Sequence, residues 1–271
     1  MDLKRLGISA ITSRNWSAWQ DLEVYCQMGI QGIGLWRDKL VDIDLKEYRR
    51  HLNACAMTVT NLCFTGQFTL GVDAAIRDGL QALTVAETVG ADTILVISGP
   101  IDHLTMKEAD ERVVVGLREL AVEASTRNIS LALEALHPMD MTQWTVIPTL
   151  DKALDLVDRV DHDNVGVMLD LYNTWWDPRL SQAIQRARGR ILCVQLADWR
   201  NPTRSFTDRT VPGRGIAPLA DLISQIESVG YSGWYDLEIF SDELWALEDY
   251  GSVLDEMIQW WSTIGEESPS E

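Results

Sequence analysis

A (β/α)8 barrel in a single α/β domain is the fold this sequence predicts, and three observations predict it. Eight short apolar runs of strand type alternate with amphipathic segments of helical spacing along 271 residues. The apolar runs do not alternate strictly with polar residues, as expected of strands buried on both faces of a parallel sheet. No linker, low-complexity stretch or internal repeat breaks the alternation, and one barrel fills a chain of this length. A doubly wound open sheet is the alternative. It normally shows a glycine fingerprint after its first strand, and Ile11-Thr12-Ser13-Arg14-Asn15 supplies none. The barrel is assigned to residues 1–264, and the polar end 265–271, GEESPSE, is expected to be disordered.

In chain order, strands are expected near 6–12, 32–36, 58–64, 93–99, 130–136, 165–171, 191–198 and 233–239. Between them, Val72, Ile76, Leu80 and Leu83 form one stripe of a helix over 72–89 that stops at Gly90. The next helix opens on Thr105-Met106-Lys107-Glu108, a capping box, and places Val113, Leu117, Leu120 and Ala124 on one face. Asp177-Pro178 predicts an N-cap followed by proline at the first helical position. Leu219, Leu222, Ile223 and Ile226 mark the seventh helix, ending at Gly230, and the eighth is expected over roughly 244–263.

Composition removes several function classes. A formal net charge of -18 opposes nucleic acid binding, which works by neutralising phosphates with Lys and Arg. No apolar run approaches the length of a membrane span, and no secretory signal precedes the first strand, so a cytoplasmic protein is expected. Cys26, Cys55, Cys63 and Cys193 sit singly in apolar patterns with no CxxC pair, which predicts reduced core thiols. Eleven tryptophans suit the core, and also the apolar faces of a sugar or an aromatic aglycone.

In a barrel the active face lies at the C-terminal ends of the strands. Those ends offer Thr12, Trp36 with Arg37, Cys63, Ser98, Glu134 with His137, Asp170 with Asn173, Gln195 with Asp198, and Glu238. The loop after the seventh strand adds Arg209 and the Gly213-Arg214-Gly215 turn. Glu134, Asp170, Gln195 and Glu238 come from four consecutive strands and form an oxygen-only set. Such a set suits a hard divalent ion, Mn2+ or Mg2+, better than zinc. A buried Gln also commonly bonds backbone, and His137 before Pro138 is either structural or a proton carrier near neutral pH. Trp36, Trp175 and Trp176 suit either packing or a cover over a substrate.

The segments LALEALHPM, VMLDLYNTWWDP, VQLADWRNPT, DRTVPGRG and GYSGWYDLEIFSDELW resemble the xylose isomerase-like TIM barrels, in the branch of sugar phosphate isomerases and epimerases. That family also includes ketose 3-epimerases, inosose isomerases and dehydratases, and endonuclease IV. The resemblance implies one divalent metal, Mn2+ first and Mg2+ or Co2+ next, held by Glu134, Asp170, Gln195 and Glu238. It implies Glu134 and Glu238 as acid and base on either side of an enediolate, and His137 as a spare proton shuttle. Substrate contacts are expected from Trp36, Asn173, Trp176, Asp198 and Arg209. Two departures stand out: Gln195 replaces a ligand His, as in bacterial 3-dehydroshikimate dehydratases, and Asn173 replaces the His of an Asp-x-x-His pair. The implied activity is isomerisation or epimerisation of a keto-sugar or cyclitol. The alternative is a lyase that eliminates from a 3-keto glycoside or dehydrates a cyclic keto compound, alone, as a homo-oligomer or with a small partner subunit. A non-catalytic sugar-binding barrel is the third reading. The charge and the scarcity of histidines set endonuclease activity aside.

Overall fold

The computed structural model describes residue 1 and residues 3–264. The expected tail 265–271 lies outside the described residues. Eight parallel strands close a barrel: β1 (Leu6–Ser9), β2 (Gly32–Trp36), β3 (Thr58–Gly66), β4 (Thr93–Ile97), β5 (Ser130–Glu134), β6 (Val165–Asp170), β7 (Ile191–Leu196) and β10 (Tyr235–Leu237). Each pairs with its sequence neighbour, and β10 closes the ring on β1. A small antiparallel pair, β8 (Asp198–Trp199) and β9 (Arg209–Thr210), stands in the loop after β7. The crossovers carry α1 (Ala18–Gln27), α2 (Leu45–Ala54), α3 (Val72–Val89), α4 (Met106–Thr126), α5 (Leu150–Val160), α6 (Leu171–Thr174), α7 (Leu180–Arg186), α8 (Leu219–Ser228), α9 (Asp242–Trp245) and α10 (Gly251–Thr263).

Local chemistry sets these boundaries. Gly90 ends α3 in the left-handed region at φ 76°, where a side chain would be strained. Thr105 and Glu108 cap α4 reciprocally, as their spacing predicts. Two expectations are corrected. Asp177 Oδ1 accepts the Arg179 N–H and makes a turn of Asp177-Pro178, so α7 starts later, at Leu180. The eighth helix is two pieces, because the chain leaves α9 after Trp245 and restarts at Gly251, whose N–H Asp249 Oδ1 accepts at 2.9 Å.

The core has two layers. A large one, with Tyr25, Tyr48, Phe68 and Trp261 among its biggest side chains, lies between sheet and helices. A smaller one, Cys63, Leu95, Ile97, Ala132, Met168 and Cys193, fills the barrel interior. Cys63 and Cys193 are free and buried as expected, but Cys26 and Cys55 are joined in a disulfide. Cys26 lies in the last turn of α1 and Cys55 follows α2, and packing these neighbouring helices side by side brings their Cα atoms to 5.7 Å. The spacing of 29 residues carries no local sign of that approach.

Candidate active site

Glu134 closes β5, Asp170 closes β6, Gln195 is the next-to-last residue of β7, and Glu238 follows β10 directly. Across the sheet Glu134 pairs with Met168, Asp170 with Gln195, and Gln195 with Asp236. Parallel partners point to the same side, and so do residues two apart on one strand. Stepping from Met168 to Asp170 and from Asp236 to Glu238 therefore places all four predicted side chains on the inner face. None is more than 4% exposed.

A fifth group enters from above. The β8–β9 hairpin folds back over the mouth, the Arg209 N–H bonding the Phe240 carbonyl at 3.0 Å. The Arg209 guanidinium lies between the rings of Tyr172 and Phe240, 4.3 and 4.7 Å from their centroids. Its Nη1 donates to Asp170 Oδ2 at 2.9 Å and to Glu238 Oε2 at 3.4 Å. Asn173 Nδ2 donates to the same Asp170 oxygen at 2.7 Å and to Glu134 Oε1 at 3.2 Å. Gln195 Nε2 donates to Glu238 Oε1 at 2.8 Å. One hydrogen-bonded network thus joins the predicted residues Glu134, Asp170, Asn173, Gln195, Arg209 and Glu238.

Charge in this network is unbalanced. Burial first, then the Asp170 and Glu238 charges, push the Glu134 carboxyl well above its ordinary value. Burial raises Glu238 to about 8 against the pull of Arg209, and raises Asp170 against the same pull. Gln195 Oε1 is buried without a partner. A buried carbonyl oxygen without a donor is costly, and a cation would relieve it. Three carboxylates and that free oxygen fit a divalent cation in residue type. As they stand, no three His, Cys, Asp or Glu side chains among the described residues form a group that could hold one.

A cavity of about 140 Å³ opens onto Glu134, Arg209 and Glu238. Trp36 lines it, its Nε1–H held by Ser9 Oγ at 2.9 Å. Phe64, Trp144, Phe206, Phe240 and Asp140 also line it, and the sequence reading missed them. Phe240 had a signal, since two residues beyond Glu238 is the same side of the chain; Trp144 and Phe206 sit in loops without one. Burial raises the Asp140 carboxyl to about 6.

Three expected site residues, Asp198, His137 and Trp176, lie outside the cavity lining. Asp198, assigned to substrate, is corrected: its carboxylate accepts the N–H groups of Trp199, Gly213, Gly215 and Ala217 at 2.8 to 3.0 Å and organises the loop. A Cβ on Gly215 would collide with that carboxylate. The half-buried His137 ring packs on Trp199 and Trp176, at 5.1 and 5.6 Å between centroids, and its Nδ1 accepts the Met139 N–H. Trp176 donates Nε1–H to the Asn173 carbonyl at 2.7 Å. Of the other strand-end residues, Thr12 and Ser98 brace loops by bonding Leu237 and Val146, and Arg37 pairs with Asp78.

Fold and site together are those of a parallel barrel with a buried acid network at the C-terminal mouth. The chain belongs to the xylose isomerase-like TIM barrel family, whose profile matches residues 22–264. Its curated relatives are enzymes: isomerases, epimerases and dehydratases. An inosose isomerase of Bacillus velezensis is 26% identical over 254 residues, 88% of this chain and 89% of that protein. A 3-dehydroshikimate dehydratase of Pseudomonas aeruginosa is 28% identical over 181 residues, 62% of this chain and only 26% of that protein, so the match spans about a quarter of that relative. A crystal structure of a Sinorhizobium meliloti 1021 protein superposes with a TM-score of 0.92 at 30% identity, covering 97% of this chain and 99% of that one. The IOLI protein, crystallised with a bound zinc atom, shares the fold at a TM-score of 0.82 and 19% identity, over 98% of this chain and 100% of its own. Among the described residues no helix is long and apolar enough to cross a membrane.

Proposed function

We propose that this protein is a divalent-metal-dependent enzyme that removes a proton beside the carbonyl of a keto-sugar or cyclitol and returns it as an isomerase or epimerase. The observation that carries this reading is the buried network of Glu134, Asp170 and Glu238 beside the unpartnered Gln195 Oε1. Glu134, Asp170, Gln195 and Glu238 would hold the ion, with Mn2+ first and Mg2+ or Co2+ next. When bound it supplies Lewis acidity, which makes the carbon next to the carbonyl acidic.

The chain's own residues do the rest. Glu134 and Glu238 stand at the cavity floor with raised proton affinity, so one accepts the substrate proton while the other donates. Arg209, fixed between Tyr172 and Phe240, supplies positive charge where an enediolate oxygen develops its charge. Asn173 holds Glu134 and Asp170 in register. The aromatic walls keep bulk water from the carbanion.

A lyase is the second reading, and Asn173 favours it, since it stands at the position of the expected substrate-contacting His and bonds Glu134 and Asp170 instead. The same enediolate then expels a β-substituent instead of taking the proton back. Incubating the Mn2+-loaded enzyme with candidate keto-sugars and inososes in D2O, followed by NMR, tests both. Deuterium at the α-carbon with an intact skeleton is expected. Release of water or an aglycone moves the protein to the lyases. Absence of exchange, equal in wild type and Glu134→Gln, would sink the proton-abstraction reading.

A further inference from the structure

The barrel has a second opening, at the end away from Glu134 and Glu238. Thr60 near the start of β3, the first residues of β4, β5 and β7 (Thr93, Ser130 and Ile191) and Trp234 just before β10 surround a cavity of about 590 Å³. That volume lies within the range of about 300–1,000 Å³ usual for small-molecule pockets. The half-buried Trp234 indole packs against Gly32 at the start of β2, where a Cβ would come within 2.8 Å of its Cε3. It touches the interior layer of the core on one side and this cavity on the other. The chemistry at the mouth makes no use of it.

The polar side chains here are short of partners. Asp92 Oδ1 accepts from Thr93 Oγ1 at 3.1 Å, and Oδ2 is left over. Asn128, Ser130 and Ser232 line the same space and make no side-chain hydrogen bond among the described residues, nor does Trp234 Nε1–H. No Lys or Arg is among the described lining residues, so an anion would meet Asp92 with no countercharge. One carboxylate is too few for a divalent ion, which takes about six oxygen ligands or more. An apolar ligand would strip water from Asp92, Asn128, Ser130 and Ser232 and return no hydrogen bond, which costs free energy. A hydroxyl both donates and accepts. A ring of hydroxyls can donate to Asp92, accept from Asn128 Nδ2 and do either with the two serines, while its C–H faces lie on the indole and Leu192.

We propose that this cavity is a second, non-catalytic binding site for a neutral polyhydroxylated ring, a pyranose sugar or other polyol ring, at the N-terminal end of the barrel. It stands on its own lining and does not depend on the proton-abstraction reading. An occupant leaves the mouth open to substrate.

Trp234 Nε1–H is the reporter. Its indole signal in nitrogen–proton correlation NMR spectra is the one lost in Trp234→Phe, and D-glucose and myo-inositol are titrated into the wild-type protein. A saturable shift of that signal is expected with at least one of them. The double variant Asn128→Gly with Ser130→Ala removes two hydrogen-bonding side chains, and glycine keeps the left-handed backbone at 128, where φ is 55°. Affinity read at the Trp234 signal should fall about tenfold. Ser232→Ala, at an exposed position, should weaken binding in the same direction. A signal that moves with neither compound overturns the proposal, and so does a shift of equal affinity in both variants. If sulfate or adenosine moves the signal in place of the polyols, the cavity belongs to an anion or a flat base and the proposal fails.

Discussion

Gln195 donates Nε2–H to Glu238 Oε1 at 2.8 Å and leaves its own Oε1 buried and unpartnered. If that oxygen is a metal ligand, Gln195→Leu should lower Mn2+ affinity by roughly 10- to 100-fold, the size of effect seen when groups around a metal are lost. Calorimetric titration of the two proteins checks this. An unchanged affinity would remove Gln195 from the ligand set.

Arg209 neutralises part of a cluster of three buried carboxylates. Replacing it by Met leaves Asp170 and Glu238 without their cation, and breaking a buried pair on one side costs about 3–5 kcal/mol. Urea unfolding of the metal-free Arg209→Met protein should show a loss of that order. Added Mn2+ should restore part of it, because the ion replaces the missing positive charge. Equal loss with and without Mn2+ would place the ion elsewhere.

The acid network also sets a pH dependence. Glu238 has its pKa raised from 4.5 to about 8, and Glu134 is raised as well. A raised carboxyl contributes stability that is complete below its unfolded value and is lost as pH rises through its folded value. Asp21 and Asp236, pushed up by burial to about 6, act in the same sense. The metal-free protein should therefore melt at falling temperatures from pH 5 to pH 9. Mn2+ should raise Tm strongly at pH 8.5 and little at pH 5. A Tm that climbs with pH over this range in the metal-free protein contradicts the assignment.

The Cys26–Cys55 disulfide ties α1 to α2 across 29 residues. A closed loop of this size constrains the unfolded chain, so the double substitution Cys26→Ser and Cys55→Ser should cost about 2–4 kcal/mol. Cys26 and Cys55 sit at the helix ends that lead into the starts of β2 and β3, at the opposite end of the barrel from Glu134 and Glu238, and activity at 25 °C should stay within about twofold, since distant sites act independently. Denaturation and exchange rates of the same protein check both statements.

Much of the site was legible because its signals are local. Glu134, Asp170, Gln195 and Glu238 each end an apolar run, and a parallel barrel gathers such ends by construction. What hid the rest was geometry without period. Asp198 occupies a strand end too, yet its carboxylate bonds four backbone N–H groups of its own loop, an outcome that depends on the Gly213–Gly215 turn. His137 follows Glu134 closely in sequence, yet the chain turns at Pro138 and lays the ring on Trp199.

The sequence by itself determined the strand order, the inward face of each strand and the acids those faces deliver, since hydrophobic runs and two-residue alternation are properties of neighbours along the chain. Only the tertiary structure decided which charges meet. Arg209 reaches Asp170 from 39 residues away, and Trp36 of β2, Phe64 of β3 and the loop residues Trp144 and Phe240 form one row. Cys26 finds Cys55 for the same reason. Closing the ring fixes distances between residues remote in sequence, and no local pattern encodes a distance that exists only after closure.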